Sequence, residues 1–241
     1  MIDLLLGGLS LACLALAAVL LRRVGPGYRV ARLLAATPRR SLAQAIDLAR
    51  SGVTVYVRLT GRISSDEEFP DEHDRPLVYR RSRVEIANER GRWQTVSRDS
   101  EAVPFGIELR GEYVAVESAD LAEGLVVVPR EALGVAADLA AELVAGHPPG
   151  TPSRLVIEQV SAVEQATVVG VPVLSVSEGG GEAPTVRAGL GRPLILTTLD
   201  EPAAMRLLAA GRRRLVLAAT AAIAAALVLA LAAVVAFLAL G

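Results

Sequence analysis

The chain has 241 residues, of which 52% are hydrophobic, 3% aromatic and 21% charged, and its formal net charge is −1. A high apolar content beside an ordinary charge content means that the apolar residues are gathered in segments. This composition excludes a disordered, collagen-like or disulfide-rich chain and a wholly soluble single domain. One cysteine and two histidines cannot build a four-ligand structural zinc site, and lysine chemistry is excluded because all 25 basic residues are arginine. Arginine without lysine, beside abundant alanine and leucine, indicates a GC-rich bacterial genome.

The first element is an apolar run over residues 4–21, just long enough to cross ~30 Å of hydrocarbon. A secretory signal peptide would carry basic residues before the run. Here Asp3 precedes it, and Arg22 and Arg23 follow it. We therefore predict a retained transmembrane helix over residues 2–21.

A second charge-free run covers residues 215–240 and is long enough to span a membrane with tilt. A buried core helix is the alternative, which the length of the run disfavours. Arginines stand on the inner side of both runs, so the positive-inside rule predicts a cytoplasmic domain between them and both termini outside. The candidate lipid-headgroup contacts are Arg22, Arg23, Arg212, Arg213 and Arg214.

Small residues four positions apart recur in both runs. The first run has Gly8 and Ala12, with Ala15 beyond them, and the second has Ala218, Ala222, Ala226 and Ala230. Such rows let helices approach closely, which predicts packing between the two runs or a homo-oligomer. The abundance of alanine alone is the competing explanation.

Residues 22–52 form a basic stem. Ser41 and Gln44 have the spacing of a capping box, and Gly52 is a suitable helix stop. The stem arginines suit anionic membrane lipids as partners, or they act only as topology signals. Acidic residues outnumber arginines between residues 51 and 205, which argues against nucleic acid as a partner.

From Val53 onward, apolar residues alternate with polar ones, as in half-buried strands. Gly61 is expected to end the first strand, residues 88–91 to form a turn, and residues 110–112 to join a hairpin. Strands are predicted over residues 53–59, 77–86, 92–98, 107–109, 113–116, 126–128, 155–159, 166–174 and 193–197.

Two helices and one loop complete the predicted elements. A helix is expected over residues 131–145, before the Pro148-Pro149-Gly150 linker, and another over residues 199–214, after a capping box at residues 198–201. Residues 177–191 are expected to be a mobile glycine-rich loop. The domain over residues 53–198 is therefore α+β, strand-rich and similar to a partly closed barrel, flanked by two transmembrane helices.

A series of short motifs carries a resemblance to a known family. In order, they are Gly61-Arg-Ile63, Pro76-Leu-Val78-Tyr79-Arg80, Arg83-Val84-Glu85, Gly91-Arg92-Trp93, Val103-Pro104-Phe105, Val127-Val-Pro129 and Pro193-Leu-Ile195. Their order and their position between two apolar runs resemble the GIDE domain, also called the BAM (beside a membrane) domain, of the mitochondrial ubiquitin ligase MULAN and its prokaryotic relatives. The resemblance covers residues 50–214. It marks as family-motif and partner-surface positions Gly61, Tyr79, Arg92, Trp93, Pro104 and Phe105.

The eukaryotic members of that family carry a zinc-binding RING finger after the second span. This chain has neither the ligands nor the room for one before Gly241, so the resemblance implies the membrane-flanked domain without ligase chemistry. We expect an integral protein of the bacterial plasma membrane, without metal or cofactor, that acts as an interaction or sensing module for an unidentified protein partner. The alternatives are a RING-type E3 ubiquitin ligase-related protein that needs a separate catalytic partner, and an anionic-lipid-responsive assembly factor.

Two clusters of charged residues are candidate sites. An acidic loop could hold a divalent cation, although it lacks the spacing of an EF-hand and a solvated loop is favoured. A set of arginines on neighbouring strands could bind an anion, although alternation divides it between two faces. Trp93 favours sheet packing over ligand contact, and no catalytic constellation is visible. The loop comprises Asp66, Glu67, Glu68, Asp71, Glu72, His73 and Asp74, and the arginines are Arg80, Arg81, Arg83, Arg90, Arg92 and Arg98.

Overall fold

The computed structural model describes residues 2–121, 124–176, 181–210 and 213–240. These residues form two units. One consists of residues 36–204, and the other of the helical segments on either side of it. The four helices are α1 (Ile2–Ala36), α2 (Leu42–Ser51), α3 (Glu201–Ala209) and α4 (Arg213–Leu240).

The helical unit contains one helix that is long and apolar enough by itself to cross a membrane, among the residues described. It is the stretch Leu215–Ala236 of α4, which has 22 residues. The expectation of two such spans is therefore wrong as stated, because Leu6–Arg22 qualifies only together with Gly27–Ala36, beyond a 56° bend. The bend falls at a Gly-Pro-Gly sequence, which disfavours a straight helix.

The two long helices of this unit are joined by a buried hydrogen bond, in which Ser10 Oγ donates to the carbonyl oxygen of Ala226 at 2.9 Å. Ala222 and Ala226 are buried, as the small-residue row predicts, but the other members of both rows are exposed. The buried positions instead follow a spacing of alternating three and four residues, which keeps them on one side of a helix. They are Ser10, Ala17, Ala219, Ala222 and Ala226.

The other unit is α+β and strand-rich, as predicted, and is built of two sheets. Five strands close into a barrel in the order β1-β5-β6-β11-β10, and β10 returns to β1; β12 and β7 extend from β10. The second sheet has the order β2-β3-β9-β8, with β4 on the free side of β3. The strands are β1 Val57–Ser64, β2 Phe69–Pro70, β3 Pro76–Ala87, β4 Trp93–Ala102, β5 Gly106–Leu109, β6 Glu112–Val116, β7 Leu125–Val126, β8 Arg130–Val135, β9 Pro152–Ser161, β10 Gln165–Val176, β11 Glu182–Arg187 and β12 Ile195–Thr197.

Alternating apolar residues of the barrel strands fill its core, and α2 covers the core with Leu42 and Ala45. The predicted capping box is confirmed, because Ser41 Oγ accepts from the Gln44 amide and Gln44 Oε1 accepts from the Ser41 amide. A carboxylate oxygen of Glu112 accepts from the Ala43 amide at 2.9 Å, so a strand residue satisfies another free donor at the helix start. Gly52 ends α2 in a left-handed conformation, as expected.

Gly61 does not end a strand, contrary to prediction. β1 begins four residues later than Val53 and runs through Gly61, which lies opposite Ala166. A Cβ atom at Gly61 would lie 2.8 Å from the Glu108 carbonyl oxygen. The glycine therefore permits a close backbone approach within the barrel rather than a break.

Two further predictions are wrong for the same reason, since tertiary pairing overrides local propensity. Residues 130–135 form β8 against β9, and only Ala136–Asp138 is a short 3-10 helix, so the expected helix over residues 131–145 does not form. Residues 182–187 of the expected loop are β11, a barrel strand; residues 177–180 lie outside the described residues.

The start of α3 also differs from the predicted capping box. Asp200 rather than Thr198 caps α3, by accepting a hydrogen bond from the Ala203 amide.

The tight turns are confirmed. Arg110 and Gly111 both have positive φ and join β5 to β6, as a two-residue hairpin of the primed type requires. At the other predicted turn, Asn88 Oδ1 accepts from the amides of Arg90 and Arg92, and Gly91 is left-handed. This turn joins β3 to β4 and so sets the register of the two strands that carry the candidate site.

Candidate functional site

A cavity lies against strands β3 and β4 of the second sheet. We call it the arginine cleft, and its volume is about 670 Å³. Because strand residues alternate between faces, every second residue of β3 points toward the same side as its partners on β4 and β9. The cleft is lined by Tyr79, Arg81, Ser82, Arg83, Arg98, Asp99, Ser100, Ala102, Ser118 and Ala119.

Two arginines of the cleft are bound by carboxylates of the sheet. Arg81 pairs with Glu158, directly opposite it on β9, at 2.8 Å. Arg83 Nε lies 3.1 Å from Glu85, and Arg154 of β9 donates from its Nε to the same carboxylate at 2.6 Å. Each acid is thereby already engaged by guanidinium groups of this sheet.

The third arginine, Arg98, lies directly opposite Arg83 in the β3–β4 register. It is exposed, and it forms no ion pair with any residue in the part of the chain described. Arg83 Nε is buried and has no hydrogen-bond acceptor of suitable geometry among those residues. Like charges directly opposite each other destabilise a sheet, so this pair has no structural benefit of its own.

Tyr79 also lines the cleft. It is buried, and its ring is part of the hydrophobic core. Burial raises the pKa of its hydroxyl above the ordinary value, with Arg81 opposing the shift and Glu158 adding to it. The hydroxyl therefore stays neutral at physiological pH.

The acidic loop is organised by Asp71. The Asp71 carboxylate is buried and accepts hydrogen bonds from the amides of His73 and Arg75, at 2.8 and 3.0 Å, and from the Arg75 side chain. The Arg75 guanidinium holds the pKa of Asp71 well below its usual range. Among the described residues, no group of three or more His, Cys, Asp or Glu side chains is placed to hold a metal ion.

The six family-motif positions do not form one surface. Tyr79 lies in the cleft, Gly61 and Phe105 lie in the barrel, and Pro104 is exposed, with its carbonyl oxygen accepting from Ser65 Oγ. Trp93 begins β4 and is 38% exposed, and its neighbour Arg92 is also exposed. The Cζ atom of Arg154 lies 4.6 Å from the centroid of the Trp93 ring.

The candidate anion-binding arginines are divided, as alternation predicts. Arg81, Arg83 and Arg98 line the cleft, whereas Arg80 pairs with Glu101 at 2.5 Å and Arg90 lies in the turn. Ser118 and Glu158 complete the surroundings from distant parts of the chain, and no local sequence pattern signals them.

The candidate headgroup contacts are only partly described. Arg22 is exposed on α1, and Arg212 lies outside the described residues. For the remaining three the structure describes the helical backbone alone. These three are Arg23, Arg213 and Arg214.

Comparison with known proteins gives no further assignment, because no protein-family model, no curated protein and no solved structure matches the chain.

Proposed function

We propose that the chain is a membrane-anchored interaction module, in which α4 holds the strand-rich domain beside a membrane and the second sheet binds a partner. The observation that carries the proposal is the open edge of β4 beside the arginine cleft. β4 pairs with β3 alone among the described strands, so the donors and acceptors along its other edge have no strand partner.

The two sheets differ in how they end. The five barrel strands pair in a closed circle, which leaves them few free backbone groups. The second sheet ends in β4 on one side and β8 on the other, and β8 is exposed over its whole length. Open strand edges are a recurrent mode of protein recognition, so the second sheet is the suitable contact surface.

The membrane part of the proposal rests on Leu215–Ala236. Ser10 of α1 donates a hydrogen bond to Ala226 of this segment, which supports the proposal that α1 lies in the same layer. The arginines that flank the helices favour a cytoplasmic domain. The GIDE/BAM resemblance implies the same arrangement of a domain beside a membrane and is part of the proposal.

A photo-crosslinking residue at Ser100, in native membranes, tests the function. Ser100 is exposed on β4 at the cleft, and Thr60 is an exposed position on the barrel that serves as the matched control. We expect a discrete protein adduct from position 100 and none from position 60. Absence of an adduct at position 100, or equal adducts at both positions, contradicts the proposal.

Thiol labelling tests the orientation. Glu72→Cys is a better site than its buried neighbour Asp71, in a chain in which Cys13 is replaced by alanine. A membrane-impermeant reagent should label this cysteine only after the cells are broken. Labelling of intact cells would place the domain on the outer side and remove the cytoplasmic assignment.

A further inference from the structure

We propose that the arginine cleft binds an anionic side chain of an extended peptide segment that adds as a strand to the free edge of β4. This inference rests on the proposed function and specifies its ligand. The segment belongs to a partner protein and carries a carboxylate or phosphate group that reaches Arg98 and Arg83.

The charge of the ligand follows from the arginine pair. Arg98 has no carboxylate partner among the described residues, and it is opposite Arg83, whose Nε lies 3.1 Å from the Glu85 carboxylate without hydrogen-bond geometry. An oxyanion at this point would give Arg98 a counter-charge and offset its repulsion with Arg83. The acidic lining residue, Asp99, is opposite Ser82 and so belongs to the other row of β4.

The surrounding polar groups also suit an oxyanion. Ser100 follows Arg98 in the same row of β4, and Ser118 reaches the cleft from the short 3-10 helix Ser118–Leu121 after β6. Serine hydroxyls donate hydrogen bonds to anions without adding charge. Glu85 and Glu158 do not compete for Arg98, because Arg83, Arg154 and Arg81 already engage them.

The extended conformation follows from the strand. β4 covers ten residues, and side chains of an added strand would alternate between the two faces of the sheet, every second one toward the cleft. Backbone hydrogen bonds to the edge would supply affinity, and the anionic side chain would set the register. The cleft volume of about 670 Å³ exceeds that of a single phosphate ion and leaves room for the neighbouring side chains of the segment.

Fluorescence anisotropy of labelled peptides, with the full chain in detergent micelles, tests the inference. The probes are ten-residue peptides of alternating threonine and valine whose fifth residue is serine, glutamate or phosphoserine. We expect the glutamate and phosphoserine peptides to bind at least about tenfold more tightly than the serine peptide. N-methylation of alternate amides that face the edge should abolish the binding of all three peptides.

Arg98→Gln should bring the two anionic peptides to the affinity of the serine peptide. Arg90→Gln is the matched control, because it removes the same charge from the exposed turn at the end of β3 and should leave all affinities unchanged. The Arg98 variant should fold at least as well as the parent chain, since the substitution removes a like-charge pair. If Arg98 had only a structural role, Arg98→Gln would instead lower the unfolding midpoint.

The inference is wrong if the three peptides bind with equal affinity. It is also wrong if Arg98→Gln and Arg90→Gln weaken the binding of the anionic peptides equally. Arg98-dependent binding of vesicles of phosphatidylcholine with phosphatidylglycerol, without peptide binding, would assign the cleft to lipid and also overturn it. A crosslink at Ser100 without peptide binding means that the module function stands and the ligand class is wrong. If neither the crosslink at Ser100 nor peptide binding is observed, both proposals are wrong.

Discussion

The carboxylate of Glu85 accepts a 2.6 Å hydrogen bond from Arg154 Nε, and it does so at a buried position of the second sheet. Arg83 approaches the same carboxylate from β3. Glu85→Gln removes the carboxylate that both guanidinium groups share in a partly buried site, and it leaves them only the more distant Glu131 and Glu158. We expect a loss of about 1–3 kcal/mol in the free energy of unfolding.

Urea unfolding followed by Trp93 fluorescence measures this loss, because the only tryptophan of the chain lies on the same sheet beside Arg154. Glu131→Gln is the control. Glu131 is 3.5 Å from Arg154 and is largely exposed, so its replacement should change stability by less than ~0.5 kcal/mol. Equal effects of the two substitutions would show that burial of Glu85 is unimportant.

Gly61→Ala should destabilise the barrel. The added methyl group would meet the Glu108 carbonyl oxygen at 2.8 Å and its carbon at 3.2 Å, and two paired backbones cannot separate cheaply. We expect a loss of about 1–3 kcal/mol, measured by thermal unfolding of the strand signal in circular dichroism. Gly150→Ala has no atom within 4 Å of the new methyl group and should be neutral.

Local signals in the sequence predict local structure well in this chain. The capping box at Ser41, the helix stop at Gly52 and the turn at Arg110 and Gly111 are all formed as expected, because each depends on neighbouring residues alone. The α+β class and the barrel follow from period-two alternation over many short segments.

The remaining errors concern partners that are distant in sequence. Residues 131–145 have good helix propensity, but pairing with β9 makes residues 130–135 a strand. The same limit applies to the site. The arginines of β3 and β4 are visible in the sequence. The sequence does not show that Glu158, far along the chain, binds Arg81, while Arg98 has no ion pair among the described residues.

The stability contributed by Asp71 should depend on pH. Its pKa is lowered in the folded state because Arg75 and two backbone amides bind the ionised form. A carboxylate whose pKa is lower in the folded state than in the unfolded state contributes its full stabilisation of the fold above the unfolded pKa of about 3.9. That contribution to the free energy of unfolding is lost as the pH falls from there toward the folded pKa.

We therefore expect Asp71→Asn to lower the unfolding midpoint at pH 7, and the difference from the parent chain to shrink below pH ~4. Thermal unfolding from pH 3 to pH 7 measures this difference. Asp74→Asn is the matched control, because Asp74 is exposed and asparagine tolerates its positive φ. A difference that stays constant from pH 7 to pH 3 would contradict the ion-pair explanation.

The hydrogen bond between Ser10 and Ala226 predicts a specific crosslink within the helical unit. In a chain with Cys13→Ala, the pair Ser10→Cys and Ala226→Cys should form an intrachain disulfide on mild oxidation in membranes, because close helix backbones bring the two positions within reach. The oxidised chain should migrate faster on a non-reducing gel. Ser10→Cys with Ala218→Cys should not crosslink, since Ala218 is exposed and lies two turns away on α4. Disulfide-linked dimers in place of the intrachain product would move this helix contact from within one chain to between two copies.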